Sequence, residues 1–365
     1  MRLLISTGLF YPSQIGGPGN TLYWFGKELV KKGISVKTIV SDAGVAEDFA
    51  PRDTWFDLDG IQIKYCKTGN QHNPISLVWK TMSEVSESDV VMLSSLLYKP
   101  NLFVGLAALL SGKKIIWSPR GELLVPRKGV KNLFFRLVRF LFSKRTLFHA
   151  TSKEEAETIY HFMGRSANCI IIPNYMELPN KVEAKCDDKY LLYVGRIAPV
   201  KALEKLIEGI ACSEEFLKQG YKLVLAGKTG GEYFDKITAL VKDRGLTKHI
   251  VFKGMVEGEA KEALYAGAKV TLLVSHSENF GNVIIESLAQ STPAITSHGT
   301  PWQVLEEKNS GYWIDNYPIN IGKTIDRLLL LPEEEYQQMR TNAYQLCCDE
   351  FDIKSNIHKW VNVIK

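Results

Sequence analysis

Cysteine pairs at metal-ligand spacing are missing from this sequence. Its six cysteines (Cys66, Cys169, Cys186, Cys212, Cys347, Cys348) show no metal-ligand spacing. They are also too sparse for a disulfide-stapled fold, so a reduced, cytosolic setting is expected. No apolar run reaches the ~20 residues that cross a bilayer. Met1 to Ser6 enters a strand pattern at once, without a signal-peptide layout. Charge of one sign is not in large excess: 45 Lys and Arg stand against 40 Asp and Glu, a net +5. That balance gives no case for nucleic acid but suits an anionic substrate or surface. Short repeats, low-complexity segments and the P-loop pattern G-x-x-x-x-G-K-[ST] are absent as well.

What is present is an alternation of strands and helices in two series. The first runs from Arg2–Thr7 to Cys169–Ile172, with Ile61–Cys66 read as an edge strand. A polar stretch to Lys189 breaks the pattern, and the second series runs from Tyr190–Val194 to Ser310–Ile314. At 365 residues the chain exceeds one ordinary core. The fold class expected is α/β, with two doubly wound, Rossmann-like domains whose parallel sheets face an interdomain cleft. The boundaries are 1–174 and 175–350, with a tail from about 351 to 365 packing back on the first domain. In such sheets ligands sit beyond the carboxyl ends of the strands, so the loops there hold the candidate site.

Three loops stand out. The first carries Gly16, Gly17 and Gly19 before a helix, where a backbone can approach a phosphate. Its G-x-G-x-x-G pattern is incomplete, because Leu22 occupies the third position. The second, after Tyr190–Val194, reads Gly195-Arg196-Ile197-Ala198-Pro199-Val200-Lys201. A guanidinium fork and an ammonium at a strand's carboxyl end suit a diphosphate. The third, after Val270–Val274, is Ser275-His276-Ser277-Glu278-Asn279-Phe280-Gly281-Asn282 and leads into a helix containing Glu286. It places two carboxylates at a helix start that favours anions. Gly227-Lys228-Thr229-Gly230-Gly231 either lines the same site or is a simple turn. His276 and His298 flank the region, as structural or as functional histidines. Asp57-Leu58-Asp59 is formally a D-x-D metal signature but is read as a polar surface loop.

These motifs in this order resemble retaining glycosyltransferase family 4, which has the GT-B fold. Gly195-Arg196 with Lys201, and Glu278-x7-Glu286 within S-E-N-F-G-N, carry the likeness. Ser118-Pro119-Arg120-Gly121, His149-Ala150-Thr151-Ser152, Ile172-Pro173-Asn174 and Gly299-Thr300-Pro301-Trp302 add to it, the last pointing to the bacterial lipopolysaccharide and capsule branch. The resemblance implies transfer of a sugar from a nucleoside-diphosphate sugar to a glycan or lipid-linked acceptor, without metal or other cofactor. Arg196 and Lys201 would neutralise the leaving diphosphate, assisted by Gly16, Gly17 and Gly195. Glu286 would bond the ribose. Glu278, with the N–H groups of Asn279, Phe280 and Gly281, would hold the donor sugar. The acceptor-side loop has Arg120 and Gly121 where many relatives place a histidine. Ala202 stands where glycine or asparagine is common, a change expected to matter little.

Residues 127–145 form a basic, strongly apolar helical stretch. Its apolar arc exceeds the ~100° that core packing needs. Either the domain's own packing takes up the surplus, or an anionic membrane does. The second choice places the protein peripherally on the inner face of the cytoplasmic membrane. Two other classes compete with the transferase. One is an NAD-dependent dehydrogenase using Gly17, Gly19 and Asp42; the other is a non-catalytic sugar-nucleotide-binding subunit.

Overall fold

The computed structural model describes every residue except 14–16, 69–74, 125–129 and 184–188. The chain divides into two compact units, Met1–Glu177 with Ile353–Lys365, and Leu178–Asp352. Gly16, Cys186 and residues 127–129 of the basic stretch lie outside the described residues.

The first unit contains β1 (Arg2–Ser6), α1 (Gly17–Lys31), β2 (Ser35–Ser41), β3 (Trp55–Leu58), β4 (Ile61–Cys66), α2 (Ile75–Val85) and β5 (Val90–Ser94). It continues through α3 (Lys99–Leu110), β6 (Lys114–Ser118), α4 (Val130–Phe142), β7 (Leu147–Ala150), α5 (Lys153–Met163) and β8 (Asn168–Ile171). The strand order is β3-β4-β2-β1-β5-β6-β7-β8. All neighbours are parallel except β3 and β4. Alternate side chains of each strand point to opposite faces, and the core divides accordingly. Leu3 and Ile5 of β1 pack with Leu22, Phe25 and Leu29 of α1 on one face. Leu4 packs on the other, with Val85 of α2, Val104 and Ala108 of α3, Val138 and Phe142 of α4, and Ile159 of α5.

Two sequence expectations change here. The edge position belongs to β3 rather than to β4, which is covered on both sides. The D-x-D tripeptide sits on this β3–β4 hairpin, not in a loop. Asp57 accepts from the Gly60 N–H (3.1 Å) and Gln62 Nε2 (2.5 Å), while Asp59 accepts from the Tyr23 hydroxyl. Both aspartates are exposed. Among the described residues no cluster of three His, Cys, Asp or Glu could hold a metal.

The second unit runs β9 (Tyr190–Val194), α6 (Leu203–Ala211), α7 (Glu214–Lys218), β10 (Lys222–Ala226), α8 (Glu232–Asp243), β11 (Ile250–Gly254), α9 (Gly258–Gly267) and β12 (Thr271–Leu273). There follow α10 (Asn282–Ala289), β13 (Ala294–Ser297), α11 (Val304–Glu307), β14 (Gly311–Ile314), α12 (Pro318–Leu329) and α13 (Glu333–Leu346). Its sheet is wholly parallel, in the order β11-β10-β9-β12-β13-β14. A π-helical turn, Cys347–Phe351, leads to α14 (Ile353–Ile364). That helix belongs to the first unit, where Ile357, Trp360 and Ile364 join the α1 side of the core. No described helix is long and apolar enough to cross a membrane, and the five described cysteines are free.

Candidate functional site

In the second unit the strand order turns at β9, which lies between β10 and β12. A doubly wound sheet opens its crevice beyond such strands. Three glycines shape the rim. The Gly195 N–H bonds the Ala226 carbonyl and the Gly227 N–H bonds the Gly254 carbonyl, each at 2.9 Å. A Cβ on Gly227 would lie 2.0 Å from the Gly195 carbonyl oxygen, so only glycine lets these loops run side by side.

The loop after β9 closes with a short 3-10 turn, Pro199–Lys201, and Ala202 then adopts a left-handed conformation (φ 51°). A side chain there costs roughly 1–2 kcal/mol. The alanine is therefore a strained substitution, contrary to the expectation that it matters little. The turn aims Lys201 inward. Its Nζ pairs with Glu278, 77 positions later in the chain, and both side chains are about seven-eighths buried, with relative exposures of 12% and 13%. Ser275 Oγ donates to the same carboxylate oxygen at 2.8 Å. Backbone bonds fix the approach: His276 N–H to the Val200 carbonyl (2.9 Å) and Glu278 N–H to the Gly299 carbonyl (2.8 Å). Arg196 is exposed and pairs with no carboxylate among the described residues. Its carbonyl accepts from the buried Tyr193 hydroxyl at 2.7 Å. Burial and the nearby Glu278 charge push the Tyr193 hydroxyl's pKa up, so it remains a donor.

Gly281 also takes a left-handed conformation (φ 87°) immediately before α10. The Phe280 carbonyl is tied back by the Trp302 indole N–H (2.6 Å), and the Phe280 ring packs on both Trp302 and Phe351. The peptides of Asn279 to Gly281 thus reach the start of α10, where the helix dipole favours an anion.

Glu286, one turn into α10, is held from α9. Lys261 Nζ lies 2.8 Å from Oε1, and the Tyr265 hydroxyl donates to Oε2 at 2.9 Å. Burial and this carboxylate raise the Tyr265 pKa far above its usual value. Lys261 and Tyr265 were not singled out from the sequence, and Ser275 and Trp302 stood there only as members of longer motifs, with no role of their own. Lys261 and Tyr265 do carry a local signal, being i and i+4 on one helix face.

His276 and His298 are exposed. The His276 ring lies at a long 3.4 Å from the Asn316 amide, whereas the His298 ring faces Asp315 (3.0 Å) and the Trp313 carbonyl (3.2 Å).

In the first unit, α1 begins at Gly17, so Gly17 and Gly19 lie within the first turn of the helix rather than before it. Pro18 suits a first turn, because it lacks only an N–H that would be unpaired there. Gly19 packs the helix against the Phe10 backbone, 3.2 Å from where its Cβ would be. Arg120 and Gly121 both lie in left-handed conformations after β6 (φ 58° and 76°). The Arg120 side chain turns into the unit, where Nη1 donates to Asn174 Oδ1 at 3.1 Å. Burial lowers its pKa to about 10, so it stays charged at neutral pH. The Gly121 N–H is occupied by Glu155 Oε1 at 2.6 Å. His149 is neutral: burial, then the Arg120 charge, lower its pKa to about 3. A carbonyl only accepts, so the 2.8 Å contact to Ile172 puts the proton on Nε2, and Nδ1 accepts from Ser118 (2.8 Å). Asp42, the candidate for a dinucleotide ribose, has both oxygens engaged. Thr68 donates its N–H and hydroxyl to one, and Arg52 Nε approaches the other at 3.4 Å.

Residues 175–346 match the family described as glycosyl transferases group 1. An uncharacterized glycosyltransferase of Methanocaldococcus jannaschii is 33% identical over 147 residues, 39% of this chain and 36% of the relative. A Campylobacter jejuni α-1,4-N-acetyl-D-galactosaminyltransferase, named for an undecaprenol-linked acceptor, is 27% identical over 180 residues, 48% of each chain. The chain thus spans about a third to a half of the length of these relatives. Anabaena HepE, solved with UDP and glucose, superposes over 100% of both chains with a TM-score of 0.76 at 15% identity. Residues 175–346 thus carry a glycosyl transferases group 1 domain, and the two parallel-sheet units have the GT-B fold.

Proposed function

We propose that the protein is a retaining, metal-independent glycosyltransferase. It moves a sugar from a nucleoside-diphosphate sugar to a glycan or lipid-linked glycan in the assembly of O-antigen or capsule-type polysaccharide. One observation carries this most: Lys201 and Glu278, from loops 77 residues apart, meet at the carboxyl edge of adjacent strands β9 and β12, in a loop that also offers the unpaired Arg196.

Breaking an anomeric C–O bond leaves an oxocarbenium-like sugar and a departing diphosphate. The largest service a protein offers is to stabilise that anion with preset charge. Arg196 and Lys201, with Gly195, take that task. Gly16 and Gly17 are assigned to a ligand phosphate by their loop chemistry. Glu286 bonds the ribose, with Lys261 and Tyr265 fixing its carboxylate. Glu278 and the N–H groups of Asn279, Phe280 and Gly281 orient the donor sugar. Glu278 is not a nucleophile: acceptor and leaving group use one face, and the departing phosphate receives the acceptor proton. Arg120 and Gly121 belong to the acceptor side, which the first unit supplies; the second unit, with a boundary near residue 175, binds the donor. The enzyme works on the cytoplasmic face of the membrane, in contact with it through 127–145. The acceptor named for the Campylobacter relative supports a lipid-linked substrate.

A thermal-shift panel of UDP, GDP and ADP, followed by the matching sugars with lipid extract, tests this. A nucleotide at a hundred times its Kd adds ~2.7 kcal/mol of stability. One nucleotide should shift the protein, and its sugar form should release diphosphate when acceptor is added. Binding without turnover across the panel would instead favour a non-catalytic subunit.

A further inference from the structure

We infer that helices α2, α3 and α4 together form a docking face for an anionic lipid bilayer, with α3 as its centre. The three helices cover the same side of the first unit's sheet, since Val85, Val104 and Phe142 share one core cluster. They adjoin one another: α2 packs on α3, and a Cβ on Gly105 of α3 would lie 3.2 Å from the Phe142 ring of α4. Their outward sides expose Trp79 (68%), Phe103 (52%), Leu106, Leu110 (81%), Leu137 and Phe140 (85%).

The arrangement is ordered. On α3 the exposed positions 99, 103, 106 and 110 fall on one stripe, with Lys99 at its start, three apolar side chains along it, and Lys113 and Lys114 just past its end. On α4, Arg136 and Phe140 are one turn apart, and Lys144 follows after a further four residues. Each apolar stretch is therefore flanked at both ends by cations whose stems can lie along it while the charges reach outward. Neighbouring helices lack this pattern. α5, on the same sheet face, exposes Lys153, Glu154, Glu157 and His161, and α14 exposes Lys354, His358 and Asn362.

Charge chooses the occupant. Residues 99–145 hold eleven of the 45 Lys and Arg but one of the 40 Asp and Glu, so this segment carries +10 and the rest of the chain −5. Its single acid, Glu122, faces inward to the Ser95 hydroxyl and the Leu96 and Leu97 N–H groups. A copy of this chain would bring the same positive charge to the face, whereas an anionic bilayer brings the opposite sign and an apolar interior. This extends the membrane contact proposed above for 127–145 and rests on that reading for a lipid-borne acceptor alone.

The test is sedimentation of the full chain with phosphatidylcholine–phosphatidylglycerol vesicles and with phosphatidylcholine alone. Binding should require the anionic lipid and fall with salt. Phe103→Ser and Phe140→Ser should each weaken partitioning about tenfold. Arg136→Gln and Lys144→Gln should each weaken it about fivefold and flatten the salt dependence. The thermal shift given by whichever of UDP, GDP and ADP stabilises the parent chain should be unchanged in all four variants, which separates this face from the donor site. Equal binding to neutral vesicles, or no binding to either, would overturn the proposal. So would light scattering in which the Phe103→Ser chain turns from dimer to monomer.

Discussion

Replacing Glu278 by glutamine separates two services that its carboxylate provides. In the free protein it neutralises Lys201, and both groups are largely withdrawn from water. Glutamine keeps the shape and can still accept from Ser275, but it leaves the ammonium without its counter-charge. An uncompensated charge in such a place costs about 2 kcal/mol, which for a unit of this size lowers Tm by roughly 4–8 °C. A nucleoside diphosphate would then return a negative charge to Lys201. The variant should therefore bind the nucleotide as tightly as the parent protein or up to about tenfold more tightly, because the diphosphate no longer competes with Glu278 for the lysine. Its UDP- or GDP-induced thermal shift should be the larger of the two. Turnover should fall about 10²–10³-fold, the usual loss when one preset group at the reacting centre is removed. Calorimetric titration with the diphosphate and initial rates on the same preparations decide the matter. A loss of nucleotide affinity matching the loss of turnover would refute the assignment of this carboxylate to the donor sugar.

Three further outcomes follow from the same geometry. Glu286→Gln should weaken nucleotide binding by about 10- to 100-fold, the worth of charge-assisted hydrogen bonds to the ribose, with a smaller effect on kcat; titration with diphosphate and with diphosphate lacking the ribose distinguishes this from general damage. Gly227→Ala forces a methyl into the Gly195 carbonyl and should cost about 2 kcal/mol or more in urea unfolding, with loss of nucleotide binding, whereas alanine at the open Gly220 should cost less and leave binding intact. His149, held neutral with its pKa lowered to about 3, takes up a proton only on unfolding once the pH drops below about 6.5. Its contribution is thus fully present above that pH, and stability should fall by ~1.4 kcal/mol per unit as the pH descends towards 3; a His149→Asn chain should lack that component of the slope in unfolding measured from pH 7.5 to 5.

The strand-and-loop framework was open to sequence reasoning because both sheets are almost wholly parallel and buried, so β9 and β10 appear as short apolar runs between helical periods. Glu278 and Glu286 stood out as candidates for the same reason: a loop that follows such a strand lies at the edge where ligands of doubly wound sheets sit. Other features depend on contacts that no local pattern carries. Ser275 and Trp302 matter through partners folded against them, and the pairing of Lys201 with Glu278 spans 77 positions. β3 was hidden by its short, polar-flanked sequence at a sheet edge. α12 was obscured by Gly322, a poor helix former that is present because its Cβ would meet the Gly209 carbonyl at 2.9 Å. Arg120 and Gly121 were noticed in the sequence, yet only the fold reveals that the arginine turns towards Asn174 and that the glycine N–H is held by Glu155.

The central claim is sugar transfer with retention from a nucleoside-diphosphate donor bound by the second unit. Proton NMR of the reaction with the nucleotide sugar that gives the largest thermal shift, in the presence of lipid extract and chelator, tests it most directly. The account predicts release of the nucleoside diphosphate and a product whose anomeric coupling matches that of the donor, both abolished in Arg196→Ala. A product of inverted configuration, or a bound donor that stays intact with every acceptor fraction, would contradict it.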